Sequence, residues 1–231
     1  MSANPYQVVK DFEQTVAEYT GAPYVVSTMS CTMALLLAVA WHLQRIPKIN
    51  EYPSAMPPER RPHIEIPKRT YVSVPMSIIH AGGRPTFRKE QWVGAYQLKP
   101  LPVWDCARLF TFGMYRLDER SQHNPYGKTI DFSGHMQCVS FHWSKILGIQ
   151  QGGAILLDDP DAAAWLRRAR FDGRTEDVPV REDKIDMIGW HCYLSPEIAA
   201  EGLQRIGLIP RHNEPLPWDD YPDLSQMEIF R

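Results

Sequence analysis

Cysteine is scarce in this chain: four in 231 residues, at positions 31, 106, 138 and 192. They lie far apart in apolar or motif-like segments, which suits reduced thiols rather than a disulfide framework. No apolar run approaches about 18–20 residues, so no membrane span is expected. Charge of one sign is also lacking. The formal net charge is -2, which argues against electrostatically driven nucleic-acid binding. The opening MSANPYQVVKDFEQ has no basic region followed by an apolar one, so it does not read as a secretory signal. No internal repeat is present. These absences predict a cytoplasmic globular protein. Apolar residues, at 44%, are enough for a sizeable core, and the length suits one α/β domain over residues 1–231.

Helical and strand-like segments alternate along the chain. Asn4-Pro5 is a plausible helix start, Val8, Phe12, Val16 and Tyr19 fall at helical spacing, and Gly21 supplies a stop. Residues 24–26 read as a strand, and Ser30-Cys31-Thr32 opens a helix carrying Leu35, Leu36, Val39 and Leu43. Residues 47–62 hold five prolines and read as an irregular loop. Strands follow at 64–66 and 85–87, around a helix at 72–81 with Pro75 in its first turn. Further strands are expected at 93–98, 101–104, 137–142 and 154–157. Asp159-Pro160 and Ser195-Pro196 start two more helices, and Arg167, Arg168 and Arg170 look like a solvated helix face. The tail, residues 207–231, is rich in proline and acid. This alternation predicts a layered α/β fold with a mostly parallel sheet.

Four separated segments carry chemistry. The most informative is the run from Ser140 through Lys145 to Gly152-Gly153. A lysine between two apolar strands is desolvated, which lowers an ammonium pKa, and a neutral amine can attack a carbonyl to form a Schiff base. A solvated lysine on a hairpin turn is the plainer alternative. Thr28 to Thr32 joins a strand to a helix N-terminus through small hydroxyl residues. That makes either an anion site or an ordinary cap. Tyr71 follows a strand and can stack on a planar ring or simply pack. Asp105 ends an apolar strand, where a carboxylate needs a partner. A pyridinium nitrogen and Arg108 are both candidates.

The order of these segments resembles the DegT/DnrJ/EryC1/StrS family of pyridoxal-phosphate (PLP) sugar aminotransferases. The stretches DFEQTVAEYTGAPYVVSTMSCTMALLLAV, IPKRTYVSVPMSIIHAGGRPTF and MIGWHCYLSPEIAAEGLQRI carry it together with the lysine segment, over about residues 8–206. The resemblance implies a three-layer fold with a mostly parallel mixed sheet, like the large domain of the type I aminotransferases. It implies PLP as cofactor, with Lys145 as the Schiff-base lysine and proton shuttle. Asp105 would hold the pyridinium proton and Tyr71 would stack on the ring. Cys31, Thr32 and Ser140 would hold the phosphate, and Arg108 would lie near the phenolic oxygen. His191 matches an asparagine that reaches the phosphate from the neighbouring subunit, so a homodimer with a shared site is implied. The expected reaction moves an amino group from a glutamate-like donor to a keto-sugar nucleotide or similar carbonyl.

Departures are also visible. Cys31 replaces a glycine, Gln151 replaces an acid, the stretch from Phe87 to Asp105 is short, and the family's small C-terminal domain has no counterpart. A catalytically altered or non-enzymatic member, acting as a binding or assembly subunit, is the alternative. Retention of Lys145 argues against the family's dehydratases. A zinc site at His135, Cys138 and His142 is weakly supported, because a period-two strand puts His135 on the other face. No metal is expected.

Overall fold

The computed structural model describes residues 4, 6–45, 58–117, 120, 129–217 and 221–230. Most of the proline-rich loop at 47–62 therefore lies outside the described residues. The elements follow in the order α1 (Gln7–Thr20), β1 (Tyr24–Thr28), α2 (Cys31–Gln44), β2 (His63–Pro67), α3 (Ser73–His80), β3 (Arg84–Arg88), β4 (Tyr96–Gln97), β5 (Val103–Asp105), β6 (Arg116–Leu117), β7 (Ile130–Asp131), β8 (Met136–Ser140), β9 (Gly153–Leu157), α4 (Pro160–Ala169) and α5 (Pro196–Ile206).

Three layers form because the strands alternate side chains between two cores. Val26, Cys138, Ile155 and Leu157 point to the face covered by α2, α3 and α4. Val25, Val139, Ala154 and Leu156 point to the face covered by α1 and α5. Strands β8 and β9 are buried throughout, which is why they read as continuous apolar runs. Helix α2 is buried along most of its length and stays apolar nearly all round. Gly202 lets α5 approach α1 closely, since a Cβ there would meet the Phe12 ring at 2.5 Å.

The main sheet has the order β1-β9-β8-β5-β4. Only β5–β8 pairs in parallel within it, while β1–β9, β8–β9 and β4–β5 are antiparallel. A second parallel pair, β2–β3, is joined to it by a bridge between Glu65 and Lys99. Following these pairings, β1, β2, β3, β5 and β8 all run the same way, and β4 and β9 are reversed. The expected parallel character thus resides in strand direction rather than in neighbouring pairs. The short β4 explains the compressed stretch after Phe87: a tight antiparallel hairpin links β4 to β5 where a crossover would need a dozen or more residues.

The structure corrects several local expectations. Helix α1 begins at Gln7, and Tyr6 at its N-cap makes no side-chain cap bond. The Asn4 side chain instead accepts from the Tyr6 amide at 3.0 Å. The strand expected at 93–98 is reduced to Tyr96–Gln97. Arg170, read as part of a solvated face, is 2% exposed. Its guanidinium pairs with Glu13 and Glu176 and donates to the Ser27 carbonyl at 2.6 Å. No described helix is long and apolar enough to cross a membrane.

Candidate active site

Because β1, β5 and β8 run in one direction, their C-terminal ends lie along one edge of the sheet, the usual ligand edge of α/β folds. Ser30 and the start of α2 follow β1, Asp105 ends β5, and Ser140 ends β8. Strand β9 is reversed, so its first residue, Gly153, and the preceding Gly152 return to the same edge, where Ser30 bridges Gly152. Ser30, Asp105, Ser140 and Gly152, with Tyr71 and Lys145, line a cavity of about 400 Å³.

The diglycine has a steric cause. A Cβ on Gly153 would lie 2.4 Å from the Cys31 amide nitrogen, and Gly152 has φ +127. Only glycine lets β9 pass so close beneath the N-terminus of α2. That terminus is capped by Ser30, whose side chain accepts from the Met33 amide at 3.3 Å. The Thr32 hydroxyl shares a 2.9 Å hydrogen bond with the Ser73 hydroxyl. Both hydroxyls line the cavity, beside the positive end of a 14-residue helix.

Asp105 is 5% exposed, and neutral donors fix its carboxylate. Tyr96 donates to Oδ2 at 2.6 Å, and the Ala107 amide donates to Oδ1 at 2.9 Å. The Thr70 hydroxyl meets the Tyr96 hydroxyl at 2.6 Å. Burial pushes the Asp105 pKa up, against these hydrogen bonds and the nearby Lys145 and Arg108 charges. An Asp105–Arg108 ion pair is not what holds the carboxylate. Arg108 donates to the Pro217 carbonyl at 2.5 Å, and its guanidinium lies 5.6 Å from the centre of the Tyr221 ring.

Lys145 sits in the turn after β8, where its amide bonds the His142 carbonyl at 2.8 Å. It is neither a surface lysine nor part of a strand. Burial, then the Arg108 charge, lowers its pKa, while Asp105 partly restores it. Neighbouring His142 bonds Ser144 at 2.9 Å. The amine, the carboxylate, the helix N-terminus and Ser140 thus converge on one cavity.

Tyr71 borders this cavity and is 56% exposed. His191 does not line the cavity on its own chain. It is exposed, and its ring nitrogen lies 2.7 Å from the Asp172 carboxylate. The former zinc candidates are otherwise engaged: His135 accepts from the Trp104 indole at 2.9 Å, and Cys138 is fully buried. No group of three metal-ligating side chains is placed to hold an ion among the described residues.

Sequence reasoning missed Tyr96, Trp92 and Tyr221, all next to the site. Tyr96 carries a weak signal, a tyrosine in a strand candidate nine residues before Asp105. Trp92 and Tyr221 sit in irregular backbone with no periodicity to place them.

Residues 2–89 match the DegT/DnrJ/EryC1/StrS aminotransferase family. No curated protein matches the sequence. Among solved structures, a protein from Bacillus cereus ATCC 10987 assigned as a PLP-dependent aminotransferase is 20% identical with a TM-score of 0.64, covering 88% of this chain and 59% of that one. DesV of S. venezuelae, solved with a ketimine intermediate, is 17% identical with a TM-score of 0.61, covering 87% and 56%. PseC of Helicobacter pylori, an aminotransferase of pseudoaminic acid biosynthesis, is 16% identical with a TM-score of 0.61, covering 89% and 58%. The chain therefore spans less than two thirds of the length of these structures, and shares their fold.

Proposed function

We propose that this chain binds pyridoxal 5'-phosphate at the Lys145 cavity and acts as an aminotransferase. The observation that carries the reading is the buried Asp105. Its direct partners are the neutral donors Tyr96 and Ala107, and it faces a cavity that also holds an amine of lowered pKa. A carboxylate offers about four lone-pair sites, so Asp105 can accept a further proton donor from the cavity. A buried carboxylate without a bonded cation suits a cationic ring nitrogen.

The residues present fit the group. The α2 N-terminus with Cys31 and Thr32, and the Ser140 hydroxyl, suit a phosphate dianion. Tyr71 is placed at the rim, where a ring can stack. Arg108 supplies positive charge for a phenolic oxygen. When bound, the cofactor supplies an electron sink for the carbon that carries the amino group.

The chain's own residues do the rest. The Lys145 amine, whose pKa is lowered, would hold the cofactor and would then take and return the proton at the substrate's reacting carbon. Asp105 would keep the ring nitrogen protonated. Tyr96, braced by Thr70, fixes the carboxylate so that one oxygen edge stays directed at the cavity. The amino donor is taken to be a glutamate-like amino acid and the acceptor a keto-sugar nucleotide or similar carbonyl, and PseC, one of the similar structures, is named as an aminotransferase of pseudoaminic acid biosynthesis. A homodimer would let His191 of one copy reach the phosphate held by the other.

Addition of PLP to the purified protein should produce a visible absorbance band, and a panel of amino acids that includes glutamate should bleach it in a single turnover. A band that no donor bleaches would replace transamination with the alternative of an altered, binding-only member.

A further inference from the structure

The C-terminal segment does not hang free of the domain. Leu216 donates its amide to the Arg108 carbonyl at 2.9 Å, and Pro217 accepts from the Arg108 guanidinium. Beyond it, Arg69 donates to the Tyr221 carbonyl at 2.7 Å, Lys68 pairs with Asp223 at 2.5 Å, and the Leu224 amide bonds the Lys68 carbonyl at 2.8 Å. Leu224 is fully buried. Residues 216 and 217 are thus held to Arg108, and residues 221–224 to residues 68 and 69, and these two loops flank the cavity.

The strap delivers one side chain to the cavity wall. Tyr221 stacks nearly parallel to Trp92, with ring centres 6.5 Å apart and planes at 11°. Tyr71 meets it edge-on at 6.3 Å, and the Arg108 guanidinium reaches its hydroxyl end, with Nε and Nη2 each donating to the phenol oxygen at 3.4 Å. Its main chain is fixed by Arg69. A phenol held by three neighbours and an anchored backbone behaves as a fixed wall rather than as a freely swinging side chain. Lys145 and the α2 N-terminus line the same cavity.

We propose that Tyr221 is a specificity-determining residue: it forms the substrate-side wall of the Lys145 cavity and limits the size of the carbonyl or amine compound that reaches the lysine. The proposal rests on the reading of Lys145 as the reacting amine, and it assigns the C-terminal strap the task of enclosing the site. A cavity of about 400 Å³ is near the lower end of ligand pockets, so removing a phenol from its wall changes its capacity substantially.

The test needs no cofactor. Lys145 is reductively alkylated with cyanoborohydride and a series of aldehydes (formaldehyde, benzaldehyde, 2-naphthaldehyde), and labelling at Lys145 is read by peptide mass analysis. Formaldehyde should label the parent protein and Tyr221→Ala at similar rates. The naphthaldehyde rate should rise about tenfold in Tyr221→Ala, while Tyr221→Phe, which keeps the ring, should stay near the parent. Asp223→Asn loosens the strap from outside the cavity and should give a smaller rise of about threefold in the same direction. Those size-dependent changes would support the proposal. Equal rates for all aldehydes in the parent and both the Tyr221→Ala and Asp223→Asn variants would overturn it and leave Lys145 as the reacting amine. Failure of formaldehyde to label Lys145 in the folded parent would overturn the reading of the site itself, and the wall with it.

Discussion

Glu13 and Asp105 are both buried carboxylates, and their partners differ in kind. Glu13 accepts from the Ser27 amide and hydroxyl at 2.8 and 2.7 Å and pairs with the buried Arg170 guanidinium, which also binds Glu176 at 2.7 Å. Burial opposes the Arg170 charge, but Glu13 and Glu176 more than offset it and leave its pKa raised. That network closes charge against charge and fastens α1, β1 and the end of α4 together. Asp105 has only neutral donors on its oxygens, and burial raises its pKa. On the proposed reading, Glu13 is structural because its counter-charge is bonded to it, and Asp105 is functional because no cation is bonded to it beside the cavity.

The largest expected effect breaks the closed network. Glu13→Ala should destabilise the protein by about 3–5 kcal/mol in denaturant unfolding, because Arg170 loses a buried partner. A loss below 1 kcal/mol would mean that the two networks are not different in kind. Asp105→Asn should do the reverse at neutral pH. Because the folded pKa of Asp105 is raised, its ionised form costs stability above that pKa, so removing the charge should leave stability unchanged or higher. The single-turnover amino-transfer rate should nevertheless fall about 10²-fold or more. Unchanged turnover in that variant would make Asp105 a second structural acid.

Much of this contrast was legible in the sequence on the functional side and little of it on the structural side. Asp105, Ser140 and the Ser30-Cys31-Thr32 turn lie at the ends of strongly apolar strands, and Lys145 in the turn that follows Ser140, so their position on the sheet edge follows from strand order and direction. Tyr71 was placed for the same reason. Arg170 was misread because helix α4 puts it one residue past the last turn, where the chain bends back toward β1 and buries it. Periodicity cannot see that bend. Tyr221 and Trp92 were invisible because their positions depend on long-range anchors such as Lys68–Asp223 and the indole bond from Trp92 to the Arg69 carbonyl at 3.0 Å. The interleaving of reversed strands among parallel ones was equally hidden, since pairing order is not written in local pattern.

A smaller effect sharpens the comparison through pH. Burial and Arg108 lower the Lys145 pKa, so the folded chain binds fewer protons there than the unfolded chain between the lowered value and 10.5, and stability rises with pH across that window. The same shift predicts that alkylation of Lys145 by formaldehyde reaches half its limiting rate below pH 10.5. Arg108→Met should move that midpoint up, and Asp105→Asn should move it down. Movement of both midpoints in one direction would contradict the assigned electrostatics.

The most direct measurement is borohydride reduction of the protein after incubation with PLP, followed by peptide mass analysis. The account predicts a pyridoxyl group on Lys145. A pyridoxyl group on another lysine, or on none, would contradict it.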